Sequence, residues 1–399
     1  MAAEVEDEPD IPFRERLSTA AAYGVASLLH ILTASLLLGG LSLIVLRLTT
    51  VVQPLIGLVL VLCAVLLRPR VDRLDPDLPT LSRQEAPALY DLLDEIGDEL
   101  GVRRLDVVQL STDFAVRATS YGIRRRRRLV LGYPLWLTFA PQQKVAALAH
   151  ELGHFASHDV RRGALVGSAL AALAGGAEQM EHRAITADAA FDTSPLSRYA
   201  DEMAVAAVRF KAHGRTADWA LWIPGLLMKG AARLLAGLTR PSARRAEFEA
   251  DAAAARVAST EAAVAALHDR RLADGVTIEM HRLAVTAQTF GWTGSAQNVD
   301  QEFWTKVGTH AASLRASARS TADGVIPSNG VLIDSAPPSG QDEGSGLPDS
   351  GVRVTRLSMG TTHAATVTLD TARADAIEAE LHEQKRLLAR RIVQDCVQE

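Results

Sequence analysis

Residues 141–158 read PQQKVAALAHELGHFASH and contain the motif HExxH at residues 150–154. Apolar residues recur there at spacings of three and four, which predicts an amphipathic helix whose buried stripe is formed by Val145, Leu148, Leu152 and Phe155. Pro141 suits the first turn of such a helix. On a helical wheel the two histidines project from roughly the opposite side of this stripe. The segment therefore predicts a helix that packs on a core and presents polar groups to a cleft.

The two histidines of the motif have the spacing of metal ligands. Residues four apart lie one above the other on a helix, so His150 and His154 can bind a single Zn²⁺ while Glu151 faces the water that such an ion carries. The alternative is a chance match on a solvated helix face. A catalytic zinc needs three protein ligands and an open fourth position, so the zinc hypothesis also predicts a third ligand elsewhere in the chain.

A candidate third ligand lies in residues 244–251, which read RRAEFEAD and are followed by an alanine-rich helical run. Glu247 and Asp251 are four apart and share a helix face. Glu247 can bind the zinc while Asp251 accepts a hydrogen bond from the other nitrogen of a ligand histidine, which fixes the tautomer of that histidine. The alternative is an ordinary charged helix, since acidic residues at this spacing are common.

The motifs HELGH and RRxEFxAD, in this order, resemble the gluzincin family of membrane zinc endopeptidases that includes HtpX and the CAAX prenyl protease. The similarity covers roughly residues 85–260. It includes TDFA at residues 112–115 and LVLG at residues 129–132, which resemble the family's substrate-binding edge strand and its partner. The resemblance implies a zincin-type metallopeptidase domain that hydrolyses peptide bonds in protein substrates.

By this resemblance the zinc ligands are His150, His154 and Glu247, with one ion per chain. Glu151 is the general base, and Asp251 supports a ligand histidine. Phe114 and Ala115 lie on the strand that binds the substrate. One departure is visible: such proteins often carry a Ser/Thr-His-Pro-Pro segment near the end, whereas residues 334–338 here read DSAPP, without a histidine.

The composition fits a membrane-tethered enzyme. The chain has 399 residues, is 48% hydrophobic and is only 5% aromatic, which reflects many Ala, Leu and Val residues. A net charge of -5 gives no indication of a nucleic-acid partner. Cys63 and Cys396 are the two cysteines, so no disulfide framework is expected and a reducing compartment is the simplest setting.

The N-terminal region predicts a transmembrane hairpin over residues 17–67. Residues 17–46 and 48–67 contain no charged side chain, and together they are long enough for two spanning helices. Arginines flank the hairpin at Arg14, Arg16, Arg68, Arg70 and Arg73, while its turn holds only Arg47. The positive-inside rule then predicts a multi-pass protein of the plasma (inner) membrane with a cytoplasmic catalytic domain and membrane lipids as partners.

The predicted fold class is α+β and mainly helical, with a small mixed sheet. An acidic tail, residues 1–16, precedes the hairpin, and the metallopeptidase domain covers residues 68–260. Residues 163–177 and 219–238 are apolar but marginal as spans, and packing on the domain or dipping into the bilayer surface is favoured over crossing it. Residues 261–399 form a C-terminal helical region with a flexible, Gly-, Pro- and Ser-rich loop at 324–351.

Five consecutive arginines, residues 124–128, separate the two candidate strands. They are either a solvated turn or a contact with anionic lipid.

Three functions share these features. The favoured one is a membrane-anchored zinc endopeptidase that acts in membrane-protein quality control. A peptidase dedicated to one signalling partner would carry the same site. A non-hydrolytic membrane sensor or scaffold with a peptidase fold is the third, although a protein that only binds needs no base at Glu151.

Overall fold

The chain forms two compact units in a computed structural model. The structure describes residues 13–46, 52–68, 72–122, 124–156, 165–177, 204–290, 299–322 and 348–395. Unit 1 consists of Met1–Val71 and Arg161–Ala243, and unit 2 consists of Asp72–Val160 and Arg244–Glu399.

Unit 1 begins with two apolar helices, α1 (Phe13–Val45) and α2 (Val52–Leu66). They pack closely at two glycines, because a Cβ added at Gly40 would lie 2.7 Å from the carbonyl oxygen of Gly57. Within the described residues, one helix is long and apolar enough to cross a membrane, Arg16–Val45, with a mean hydropathy of 2.2. At 15 residues α2 is shorter than a usual span, so the transmembrane hairpin stays a prediction.

Two further helices pack on α1 within unit 1. They are α6 (Leu165–Ala177) and the first part of α7 (Ala204–Ala258). Small side chains on α1, Ala22 and Ala26, form a buried cluster with Ala169 of α6 and Leu235 of α7. The marginal segments 163–177 and 219–238 of the sequence therefore contribute to the unit that contains the N-terminal helices.

Unit 2 contains a four-stranded sheet in the order β1-β2-β4-β3. Its strands are β1 (Thr80–Leu81), β2 (Val107–Ser111), β3 (Val116–Tyr121) and β4 (Arg126–Gly132). β2 and β4 are parallel, while β1 with β2 and β3 with β4 are antiparallel. The predicted small mixed sheet in a mainly helical chain is thus confirmed. β3 lies at the edge, so one side of its backbone has no strand partner in the sheet.

Helices surround this sheet in unit 2. They are α3 (Pro87–Glu99), α4 (Tyr133–Thr138), α5 (Pro141–Ala156), the last part of α7 from Arg244, α8 (Thr260–Asp269), α9 (Ala273–Phe290), α10 (Val299–Ala322), α11 (Ser350–Met359), α12 (Thr371–Glu380) and α13 (His382–Asp395). The large buried residues at the centre include Tyr90, Trp136 and Phe303.

The C-terminal helices share a core with the helix α5. Phe303, Ile377 and Leu388 are buried in the same cluster as Leu148 of α5. The structure therefore places the described residues after 260 in unit 2 and shows no division at that position. Most of the expected flexible loop at 324–351 lies outside the described residues, but its last two, Ser350 and Gly351, already belong to α11.

One hydrogen-bonded contact fixes a C-terminal helix to the start of α3. The carboxylate of Glu380 accepts hydrogen bonds from the backbone N–H groups of Ala88 at 2.7 Å and Leu89 at 3.0 Å. These N–H groups belong to the first turn of α3, where a helix lacks internal acceptors and favours a negative charge. Glu380 therefore acts as a helix cap supplied from a distant part of the chain.

We expect Glu380→Ala to lower the free energy of unfolding of unit 2 by about 1–2 kcal/mol, because two buried donors lose a charged acceptor. Chemical denaturation in detergent measures this. The matched control is Glu383→Ala, since Glu383 is exposed and pairs with Arg386 on its own helix. Equal losses for the two variants would contradict the capping role.

Candidate metal centre

Helix α5 carries the HExxH motif as the sequence predicts. It begins at Pro141, and Val145, Leu148 and Leu152 of the apolar stripe are buried. His150 is also buried, with 4% of its surface exposed, whereas His154 is half-buried. The histidine side of the helix is thus covered too, because α7 packs against it.

The contact between α5 and α7 depends on a glycine. A Cβ added at Gly153 would lie 3.2 Å from the Cα of Ala250 and 3.1 Å from the Cβ of Ala253. Such distances are tighter than ordinary van der Waals contact, so a side chain at position 153 would push the helices apart. The absence of a side chain there lets Glu247 of α7 reach the histidines of α5.

Three side chains converge at this contact. His150 Nε2 lies 3.5 Å from Glu247 Oε2, and His154 Nε2 lies 3.6 Å from Glu247 Oε1. One potential ligand atom from each of these residues lies within 4.8 Å of the others. Zinc bonds of about 2.0–2.1 Å in a tetrahedral site place neighbouring ligand atoms about 3.4 Å apart. Each histidine nitrogen lies close to that separation from one of the two Glu247 oxygens, so the two imidazoles and the carboxylate are placed where they could share a zinc ion.

A buried ion pair between Asp251 and Arg353 lies beside His150, on the side of the ring that faces away from Glu247. His150 Nδ1 lies 3.0 Å from Asp251 Oδ1, so the ring nitrogen facing away from Glu247 meets this carboxylate. The guanidinium of Arg353, on α11, donates two hydrogen bonds to Asp251, from Nε at 2.8 Å and from Nη2 at 2.6 Å. Arg353 Nη1 also lies 3.2 Å from Glu247 Oε2. One arginine thus links the carboxylates of Glu247 and Asp251.

The pKa values follow from this network. Burial opposes a charge on His150, but its hydrogen bonds to Asp251 and Glu247 outweigh burial and raise its pKa. Burial and the nearby His150 lower the pKa of His154. Although burial alone would raise it, hydrogen bonds from Arg353 and His150 lower the pKa of Asp251 to about 2. A metal ion must displace a proton that His150 holds more firmly than usual, so acid should weaken metal binding.

Glu151 and the edge strand lie together. The half-buried carboxylate of Glu151 accepts a hydrogen bond from the backbone N–H of Ala118 on β3, at 3.2 Å. Phe114 and Ala115, expected on the edge strand, lie just before β3, which begins at Val116. The Ala115 carbonyl accepts a hydrogen bond from the Gly132 N–H at 2.8 Å, and the Phe114 ring packs edge-on against Phe139.

Two arginines near the site are absent from the sequence-based prediction. Arg353 is 6% exposed and lies only two residues beyond the segment interpreted as a flexible loop. Burial and Arg353 lower the pKa of the second arginine, Arg270, while Glu151 and Glu247 oppose that effect. The excess of carboxylates in the two motifs is the signal in the sequence that a cation is needed here. Residues 334–338, which read DSAPP in place of the family's Ser/Thr-His-Pro-Pro segment, lie outside the described residues.

A scan against protein-family models matches residues 83–273 to Peptidase family M48. The predicted resemblance is confirmed, because the matched family is the one that includes HtpX and CAAX protease-like zinc metallopeptidases. Searches of curated proteins and of solved structures return no match. The match supports a metallopeptidase function, and His150, His154 and Glu247 are positioned as a possible metal site.

We expect Gly153→Ala to lower zinc affinity about tenfold although it alters no ligand, because the added methyl group displaces the helix that carries Glu247. Competition with a chromogenic chelator measures the affinity. Gly237→Ala is the control, since Gly237 lies on α7, the helix that carries Glu247, and a Cβ added there would have nothing within 4 Å. Unchanged affinity in the Gly153 variant would show that this contact does not set the site.

Proposed function

We propose that this protein is a membrane-anchored, zinc-dependent endopeptidase of the gluzincin type. The observation that carries the proposal is the convergence of His150, His154 and Glu247 beside the Glu151 carboxylate and an open strand edge. The family match supports hydrolysis of peptide bonds. The ligand set supports zinc, because two imidazoles and one carboxylate leave a fourth position open for catalysis.

In this proposal His150, His154 and Glu247 hold one Zn²⁺ per chain. When bound, the ion acts as a Lewis acid that lowers the pKa of water and polarises the substrate carbonyl. Glu151 is the general base: its carboxylate accepts the proton of the attacking water and then delivers it to the nitrogen of the leaving amine. The N–H of Ala118 holds Glu151 beside the strand where a substrate would lie.

Asp251 and Arg353 position the histidine ligand. Asp251 keeps His150 in the tautomer whose Nε2 faces Glu247, and such an outer carboxylate also increases the basicity of the ligand. Arg353 compensates the negative charge of Asp251 and Glu247 through an ion pair with each. Removing that arginine would take away the two hydrogen bonds and the ion pair of the buried Asp251, which is destabilising.

Protein substrates would bind as an extended segment along β3. An edge strand offers backbone N–H and C=O groups, so main-chain pairing accepts many sequences while neighbouring pockets select side chains. The hydrogen bond from the Ala118 N–H to the Glu151 carboxylate supports this placement, because it brings the strand next to the proposed base. Phe114 and Ala115, which precede β3, would contact the substrate at the end of this strand. Pairing along a strand allows cleavage within a chain, which is the basis for proposing an endopeptidase.

Membrane anchoring is proposed from α1 and α2. The segment Arg16–Val45 is long enough to cross a bilayer, and many apolar side chains of α2 are exposed, among them Leu55, Leu58 and Leu62. Arginines on both sides of these helices favour a multi-pass protein of the plasma (inner) membrane whose catalytic unit is cytoplasmic. Quality control of membrane proteins is the proposed role, and a dedicated signalling cleavage is the alternative.

We expect Glu151→Gln to retain zinc and fold while peptide hydrolysis falls by several orders of magnitude, since the amide cannot accept a proton. Cleavage of an unfolded membrane protein in detergent, with zinc supplied, measures this. The control is Glu249→Gln, because Glu249 lies on α7 between Glu247 and Asp251 but pairs with Arg245 at the surface. If Glu151→Gln cleaves as fast as wild type, the assigned base is wrong. If the wild type binds a partner and cleaves nothing, the scaffold function replaces the peptidase.

The side of the membrane on which unit 2 lies can be tested with introduced cysteines. We expect single cysteines introduced at Asp98 and Asp274, in a background without Cys63 and Cys396, to react with a membrane-impermeant maleimide only after cells are opened. Both positions lie in unit 2. Labelling of either position from outside intact cells would place the catalytic unit on the opposite side of the membrane.

A further inference from the structure

The turn between β3 and β4 presents three exposed arginines, Arg124, Arg125 and Arg126, which we call the arginine turn. Among the described residues, no hydrogen bond or ion pair involves their guanidinium groups. The turn is therefore a concentration of positive charge that no described acidic residue neutralises by an ion pair.

The other two arginines of the run have structural contacts. Arg127 donates a hydrogen bond to the carbonyl oxygen of Arg103 at 2.7 Å and lies over the ring of Phe155 at 4.7 Å. Arg128 donates to Thr119 Oγ1 at 2.9 Å and to the carbonyl oxygen of Arg73 at 2.8 Å. The inner two arginines thus stabilise unit 2, whereas the guanidinium groups of the arginine turn have no such contacts within the described part of the chain.

The strand register adds a fourth arginine to this surface. Tyr121 pairs with Arg126, and side chains alternate along a strand, so Arg117 lies on the same face of the hairpin as Arg126. Arg117 is exposed and has no ion pair within the described part of the chain. The nearest acidic contact on this face is Asp72, 3.7 Å from the inner Arg128.

One residue of the arginine turn, Arg125, has a strained backbone conformation. Arg125 has a φ of 50°, in the left-handed region where glycine or asparagine costs least. The backbone conformation at this position disfavours arginine. The presence of an arginine despite this cost is consistent with a requirement for positive charge at the tip of the turn.

The β3–β4 hairpin is hydrogen-bonded to the segment that follows α2 in the sequence. The Gly122 N–H donates a hydrogen bond to the carbonyl oxygen of Asp72 at 2.8 Å, and Arg128 contacts Arg73 as described. Only five residues separate Asp72 from Leu66, the last residue of α2. That length spans at most about 20 Å when extended, so an α2 that enters the bilayer keeps the arginine turn near its surface.

We propose that the arginine turn, together with Arg117, binds the head groups of anionic phospholipids at the membrane surface beside the catalytic unit. This proposal rests on the membrane anchoring proposed above. Arginine matches phosphate oxygens in geometry and charge, and its attraction to an anionic leaflet decays within about 8 Å at physiological ionic strength. Such a contact would fix the edge strand β3 at a defined height above the bilayer, where it can receive segments of membrane proteins.

The test uses the full-length protein in nanodiscs of phosphatidylcholine alone or mixed with phosphatidylglycerol, with amide hydrogen exchange followed across residues 117–128. We expect several-fold slower exchange in the turn in the anionic discs, with the difference lost at high salt. The variant Arg124→Gln/Arg125→Gln/Arg126→Gln should lose the difference as well. The control Arg256→Gln/Arg271→Gln/Arg319→Gln, which removes the same charge from exposed positions elsewhere, should retain it.

Three results would overturn the proposal. Equal exchange in both kinds of disc would show that lipid charge is not sensed. A lipid-dependent difference that survives in the arginine-turn variant would move the contact elsewhere. If polyglutamate added to neutral discs slows exchange in the turn as much as anionic lipid does, the turn would be assigned to a soluble acidic partner instead. Failure of the wild type to enter neutral discs would refute the membrane anchor itself, which separates that outcome from the lipid contact.

Discussion

The close approach of α5 and α7 at Gly153 is the constraint on which the candidate metal centre depends. Gly153 lies between the two histidines of α5, and it faces Ala250, which lies between Glu247 and Asp251 on α7. The same contact that leaves no room for a side chain brings the Glu247 oxygens to 3.5 and 3.6 Å from the histidine nitrogens. Steric fit between two helices therefore determines where the polar groups meet.

Concentrating carboxylates in a buried site creates an electrostatic cost that the rest of unit 2 must offset. Burying ionised groups is unfavourable unless they are paired and hydrogen-bonded. Arg353 provides the pairing, because its guanidinium contacts both Glu247 and Asp251. The C-terminal helices that share the core with α5 keep α11 in place, so this region belongs to the catalytic architecture. A bound zinc ion would add the positive charge that the ligand set still needs.

Local patterns in the sequence predict the centre of this structure well. The α5 helix follows from its apolar spacing and Pro141, and the family follows from two motifs in a fixed order. Arg353 could not be predicted, because its partners are distant in sequence and its helix is only ten residues long and directly follows a Gly-, Pro- and Ser-rich segment. The packing partners of the C-terminal helices are another such case: helical periodicity predicts that Ile377 is buried, but it does not predict that Ile377 shares a core with Leu148.

X-ray absorption at the zinc edge of the purified, zinc-loaded protein tests the central claim most directly, because it reports the ligand atoms themselves. The account predicts two imidazole nitrogens and oxygen donors at about 2.0–2.2 Å, with no sulfur. It also predicts that Glu247→Ala loses an oxygen donor or the metal altogether. A sulfur shell at about 2.3 Å, or an unchanged spectrum in Glu247→Ala, would contradict the assignment.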